Sequence, residues 1–182
     1  EYAPNALDPG FKFTSSNGKF KIAMQQTVQY TGLVDATGAR LPTPVWGYGE
    51  PGKGVTWPGR TFEPKSGQPI EVKWENMLMG PGGYLPHLLP VDTNLHWCYS
   101  LPGYEQYTIE NAGVPVVAHL HGGHTDFPYD GNPEFFFSPG FKVRGPQWVD
   151  KKYIYDNSQP AGTLWYHDHA LGITRLNVYA GL

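Results

Sequence analysis

Cysteine, charge and long apolar runs are all scarce in this 182-residue chain. The single cysteine, Cys98, excludes a disulfide within the chain and a cysteine-based zinc or iron–sulfur site. Charged residues make up only 16% and the net charge is −3. There is no basic surplus to neutralise phosphates, which argues against nucleic-acid binding. No apolar run approaches the roughly 20 residues of a membrane-spanning helix. The first residues, Glu1-Tyr2-Ala3-Pro4, carry neither a basic flank nor an apolar stretch. A signal peptide is therefore expected to be either absent or already removed.

Glycine and proline are abundant instead, at 23 and 18 residues, and aromatics reach 15%. Aromatic rings supply large buried area per residue, so the chain is expected to fold, with many turns and short strands. The polar, turn-rich residues 1–18 read as an N-terminal arm, followed by a single domain over 19–182. Within it, Lys19 to Tyr30 alternates as a strand, Asp35-Ala36-Thr37-Gly38 reads as a turn, and Val45 to Tyr48 is a short aromatic strand. Pro69 to Met77 has a clean period of two, with Ile70, Val72 and Trp74 on one face and Glu71, Lys73 and Glu75 on the other. Residues 78–112 are expected to be irregular. Val114 to His121 reads as a buried strand, 122–140 as a loop, and Trp148 to Tyr155 and Gly162 to His169 as further strands. A turn of helix is expected over 170–175, and another strand from Leu176 to Tyr179. About seven short strands with no long helix predict an all-β fold, an antiparallel sandwich or Greek-key barrel, incomplete at its C-terminal strand. Because the chain stops within that strand, more polypeptide, or a second chain, is expected to complete the sheet.

Two His-X-His motifs carry the chemistry. His119-Leu120-His121 ends one predicted strand and His167-Asp168-His169 ends another. Residues i and i+2 of a strand share a face, so each motif presents two imidazoles side by side, with Leu120 and Asp168 directed away. On neighbouring strands, all four rings would converge. Four imidazolium ions would repel one another, so the arrangement makes sense around a metal cation. Neutral imidazole without thiolate or a carboxylate cage suits copper or zinc, and composition does not choose between them.

The segments Val117 to Gly123, Leu164 to Ala170 and Thr174 to Leu182 closely resemble the first cupredoxin domain of the multicopper oxidases, in the branch containing spore-coat laccase, bilirubin oxidase and phenoxazinone synthase. Weaker echoes lie in Trp57 to Glu63, Ile70 to Trp74 and Leu85 to Asp92. The resemblance runs from about residue 19 to the end. It implies a cupredoxin-like fold and a laccase-like oxidoreductase that reduces dioxygen to water at a trinuclear copper cluster shared between the first and last domains. By resemblance, His119 would bind the type 2 copper, His121 and His167 one type 3 copper, and His169 the other. Asp130, in Tyr129-Asp130-Gly131, aligns with a family acid near the oxygen-reduction site, where a carboxylate would relay the four protons that dioxygen reduction consumes. A turn aspartate before Gly131 fits the same sequence.

The family's blue type 1 copper sits in a later domain, on a His-Cys-His segment that this chain lacks. Cys98, in His96-Trp97-Cys98-Tyr99, reads as a small buried apolar residue. The implied partners are therefore the remaining cupredoxin domains, on a second polypeptide or lost by processing, together with dioxygen and a small reducing substrate. Nucleic acid and membrane are not expected. Relatives include secreted, spore-coat and cytosolic enzymes, with a secreted or extracellular setting favoured. A non-catalytic copper-binding or scaffold module is the alternative. A blue electron carrier would need a cysteine ligand, and a zinc hydrolase a general-base glutamate beside the histidines. His87 and His96 read as structural, His124 as a surface residue, Arg175 as packing or ion-paired, Trp165 and Tyr166 as core filling, and Asp168 as a histidine buttress or a solvated group.

Overall fold

The computed structural model describes residues 8–182, so the first seven residues of the expected arm lie outside the described residues. In chain order the elements are β1 (Lys19–Val34), β2 (Arg40–Gly49), β3 (Ile70–Asn76), β4 (Met79–Gly80), β5 (Gly83–Tyr84), α1 (Ile109–Ala112), β6 (Ala118–His121), β7 (Lys152–Tyr155), β8 (Trp165–Asp168) and α2 (Thr174–Ala180). Short 3₁₀ turns lie between several of them. The described part of the arm runs beside Thr61 and buries Phe13 against Phe62.

β1 and β2 form a long antiparallel ribbon. Its turn is set by Asp35, whose carboxylate accepts the N–H groups of Thr37 and Ala39 at 2.8 and 3.0 Å. On the outer side of β2, Tyr48 exchanges both of its backbone hydrogen bonds with Thr56, and Pro42 and Pro44 fall at the same outward-facing parity. The main sheet has the order β2-β1-β3-β7. The β1–β3 pair is parallel, which corrects the expectation of a wholly antiparallel sheet. The reason is topological: β2 turns straight back along one edge of β1, and the long connection over 50–69 returns the chain to the other edge in the direction of β1 itself. The strands do not close into a barrel; β6 and β8 form a separate two-stranded sheet.

The period of two in β3 puts Val72, Trp74 and Asn76 inside. Its outward Glu71 and Glu75 pair with Lys152 and Lys21 on neighbouring strands and with Lys73 of β3 itself. The core is strongly aromatic. Tyr166 packs on Tyr48, Phe62 and Trp74, at 4.9 Å from Tyr48. Phe135, Phe136 and Phe137, in the stretch expected to be a loop, are fully buried, and Phe137 pairs with Val116 by backbone bonds of 2.9 and 3.1 Å.

Two departures from the sequence reading bear on the site. Of the strand expected over Val114 to His121, only Ala118–His121 forms a ladder with β8. Upstream, asparagine side chains replace strand partners: Asn76 donates to the Val114 carbonyl at 2.8 Å, and Asn177 to the Pro115 carbonyl at 3.0 Å. The expected C-terminal strand is instead part of helix α2. Ile173, Leu176, Asn177 and Ala180 recur at helical spacing and face inward, so tertiary packing overrides the β-forming character of Val178 and Tyr179. Past α2 the chain turns back, and the Leu182 carbonyl accepts the Asp168 N–H at 3.0 Å.

Asn76 donates to two carbonyls and accepts the Leu78 N–H at 3.1 Å, all in a buried setting. Asn76→Ala should lower the unfolding free energy by about 2–3 kcal/mol, because those partners stay buried and unsatisfied. Urea unfolding of the two proteins checks this, and a difference below about 0.5 kcal/mol would contradict it.

Candidate metal centre

The His-X-His pairs sit on β6 and β8, which are antiparallel neighbours with His119 opposite His167 and His121 opposite Trp165. Alternation then places His119, His121, His167 and Trp165 on one face, with Leu120 and Tyr166 on the other. The structure thus brings the two motifs together. Donor nitrogens of His119, His121 and His167 all lie within 4.8 Å of one another. His169, one residue past β8, stacks on His119 with ring centroids 4.7 Å apart.

Three of the four rings are anchored by backbone carbonyls. The Nδ1–H of His119 donates to the Asp130 carbonyl, that of His169 to the Gly131 carbonyl at 3.0 Å, and that of His167 to the Asp168 carbonyl at 2.7 Å. A carbonyl can only accept, so in the neutral ring Nδ1 carries the proton and Nε2 keeps its lone pair. His121 is different: its Nδ1–H donates to the His167 Nε2 at 3.1 Å, the lone pair left by the tautomer of His167. Burial holds His167 below the ordinary histidine pKa, opposed by its bond to the Asp168 carbonyl and aided by the neighbouring imidazoles. A neutral ring is the form that ligates a metal.

This donor set fits a metal ion. Nε2 lone pairs of fixed tautomer, carbonyl partners behind them and no competing cation in the cluster are the features a histidine metal site requires. Copper and zinc both match all-imidazole ligation.

Asp130 and Gly131 form a turn against β6. A Cβ on Gly131 would lie 1.9 Å from the Ala118 carbonyl oxygen, and its φ is 69°, so glycine is required for the approach. That approach presents two successive carbonyls to His119 and His169. The Asp130 carboxylate is also near, with Oδ1 3.5 Å from His119 Nδ1. The two carbonyls were not foreseen, since backbone acceptors leave no signature in side-chain identity.

Asp168 was read as a buttress or a solvated group. It has no exposed surface. Its Oδ1 accepts the Val117 N–H at 3.0 Å, and its Oδ2 accepts the Ala170 N–H at 3.0 Å and the Asn177 amide at 2.9 Å. Burial nevertheless pushes its pKa up to about 7. Trp165, expected in the core beside Tyr166, is 53% exposed on the histidine face, and Tyr166 alone takes the core position.

The other candidates fall outside the cluster. His87 accepts the Leu89 N–H at Nδ1 and donates from Nε2 to the Asn177 side chain, a structural role. His124 and His96 are exposed, as is Arg175 on α2. Cys98 is fully buried, and desolvation raises its thiol pKa well above the usual value, in keeping with an inert apolar role.

Fold and site together define a cupredoxin-like domain with an imidazole face shaped for a metal. No protein-family model matches the chain. It is 42% identical over 141 residues to a laccase of Bacillus subtilis, a match covering 78% of this chain and 24% of that protein. It is 40% identical over 141 residues to the multicopper oxidase LPR1 homolog 5 of Oryza sativa, covering 78% of this chain and 20% of that protein. Among solved structures, a laccase from Pediococcus acidilactici superposes with a TM-score of 0.53 at 18% identity, over 94% of this chain and 26% of that one. A multicopper oxidase from Campylobacter jejuni, titled a metallo-oxidase, also gives 0.53, at 16% identity and with the same coverage of both chains. The chain spans about a fifth to a quarter of the length of these relatives. Over 78% of its length the chain is similar to multicopper oxidases, in the manner of a cupredoxin domain of their N-terminal part.

The buried Asp168 makes a pH prediction. Its native pKa of about 7 lies above the ordinary 3.8, so the native state binds the proton more tightly than the unfolded chain does. The stability it confers is complete below pH 3.8 and is lost as pH rises through about 7. Asp168→Asn should lower stability at every pH, because its NH₂ cannot accept from Ala170 and Asn177, yet should flatten this decline. Denaturant unfolding between pH 4 and 8 reads the slope; an unchanged slope would remove Asp168 as its source.

Proposed function

We propose that this chain contributes half of the trinuclear copper site of a laccase-like multicopper oxidase, which reduces dioxygen to water while a small reducing substrate is oxidised at a blue copper held elsewhere. In this reading residues 1–18 are an arm and 19–182 the first cupredoxin domain. His119 holds the type 2 copper, His121 and His167 one type 3 copper, and His169 the other. The remaining cupredoxin domains, on the same or a second polypeptide, supply the rest of the cluster and the blue copper. Copper bound at this face supplies the one-electron chemistry of dioxygen reduction.

The observation that carries the reading is the convergence of two His-X-His pairs in antiparallel register, with three Nδ1–H groups committed to backbone carbonyls. Those bonds orient Nε2 and fix its tautomer before any ion arrives, so little ordering is left to binding. Four-electron reduction of dioxygen consumes four protons. The partly exposed Asp130 carboxylate, beside His119, is placed to hold a proton at Oδ1 and pass it inward from solvent. Asp168 is not suited to this task, because its carboxylate is sealed from water and occupied by three donors.

The chain alone should bind Cu(II) without developing an intense blue band, since Cys98 is fully buried with its thiol on the Leu171 carbonyl and is not in the histidine cluster. His167→Ala should weaken copper binding by at least about tenfold by calorimetry. In the assembled oxidase it should abolish oxygen uptake while substrate still bleaches the blue copper. Unchanged copper affinity, or oxygen uptake at the parent rate, would overturn the assignment. Asp130→Asn should slow oxygen reduction by about 10²-fold or more, with copper content unchanged. A rate within about twofold of the parent would remove Asp130 from proton delivery.

A further inference from the structure

Trp165 is a large apolar side chain in a position that contributes little to the core. It is 53% exposed, while the next residue, Tyr166, packs inside among Tyr48, Phe62 and Trp74. The indole lies instead over two imidazoles from opposite strands. Its ring is 4.1 Å from that of His167 at an interplanar angle of 33°, and 5.3 Å from that of His121 at 23°. His121 is the cluster member with no carbonyl behind it. Among the described residues its ring nitrogens contact only His167, and the residue is exposed. Left alone, such a ring would rotate about its side-chain bonds, and ordering it on metal binding would cost entropy.

We infer that Trp165 is a positioning residue that clamps His121 against His167, so that one nitrogen from each strand stays at the spacing a shared ion requires. Without metal the two nitrogens are held 3.1 Å apart by the hydrogen bond from His121 to His167, which an ion binding both would replace. Two nitrogens bound about 2.0 Å from one tetrahedral ion would stand about 3.3 Å apart. The strand pattern explains the choice of residue. Position 165 is directly across from His121 and two residues before His167 on the same face, so one planar side chain there reaches both rings. The indole face also carries negative quadrupole density, which favours the two imidazoles when a bound cation makes them electron-poor. The inference rests on reading this face as a copper site.

The test titrates the full chain with Cu(II), and with redox-silent Zn(II), comparing the parent with Trp165→Phe, Trp165→Leu and His167→Ala. Affinity is read by calorimetry, and the tautomer and motion of His121 by nitrogen-15 NMR of the zinc form. Trp165→Leu should weaken binding by about tenfold and broaden or split the His121 ring signals. Trp165→Phe, which keeps a stacking face, should recover most of the loss. Equal affinities for the parent and Leu variants, or equal losses with Phe and Leu, would overturn the clamp and leave the copper reading intact. A parent chain that binds no copper, or a His167→Ala chain that binds it as tightly as the parent, would overturn the copper reading itself. Thermal unfolding of the metal-free proteins identifies any variant that has lost its fold, and the Phe variant then decides by its own affinity and ring signals.

Discussion

A carboxyl group sealed from water governs how the site is assembled. Asp168 sits between two histidines of one motif, on the opposite face of its strand, with its oxygens taken by Val117, Ala170 and Asn177. Leaving any of these polar groups unpaired inside would cost about 1–3 kcal/mol. The requirement ties together the entry to β6, the exit from β8 and the face of α2. A slip of one residue in β8 would turn the carboxylate toward the histidine face and the imidazoles inward, breaking both arrangements at once. The network continues from Asn177 to the Pro115 carbonyl and to His87, whose ring packs edge-on against the fully buried Trp46. Register, core and ligand face therefore rest on one set of hydrogen bonds.

The second element of the design is backbone rather than side chain. The Asp130-Gly131 turn delivers consecutive carbonyls to His119 and His169, and β8 provides one for His167 from its own next residue. Such acceptors carry no titrating charge, so each Nδ1–H is oriented without depending on the ionisation of a neighbouring carboxylate. His121, the ring without such an anchor, is one of the two that the exposed indole covers.

The histidine face was legible because its logic is local. A period of two needs no tertiary information, and two copies of the pattern at strand ends imply convergence if the strands are neighbours. The strongest strand, β3, was legible for the same reason. Asp168 was not, because a residue pointing away from a ligand face can meet either water or a core, and its donors are two backbone N–H groups and an asparagine on a helix that the sequence pattern hides. α2 was missed because Asn177, a polar residue, occupies a core position and hides the helical period of Ile173, Leu176 and Ala180. Trp165 and Tyr166 read alike in sequence; only their alternation across β8 separates an exposed ring from a buried one.

The outer strand of the long ribbon has a further consequence. At Pro42 and Pro44 the positions that would offer N–H groups sideways have none to offer. A foreign strand approaching that margin would find acceptors without donors, and could not zip on rung by rung. Any contact made there must come through the flat of the ribbon, where Val28 and Tyr30 stand out beside those prolines, rather than through its border.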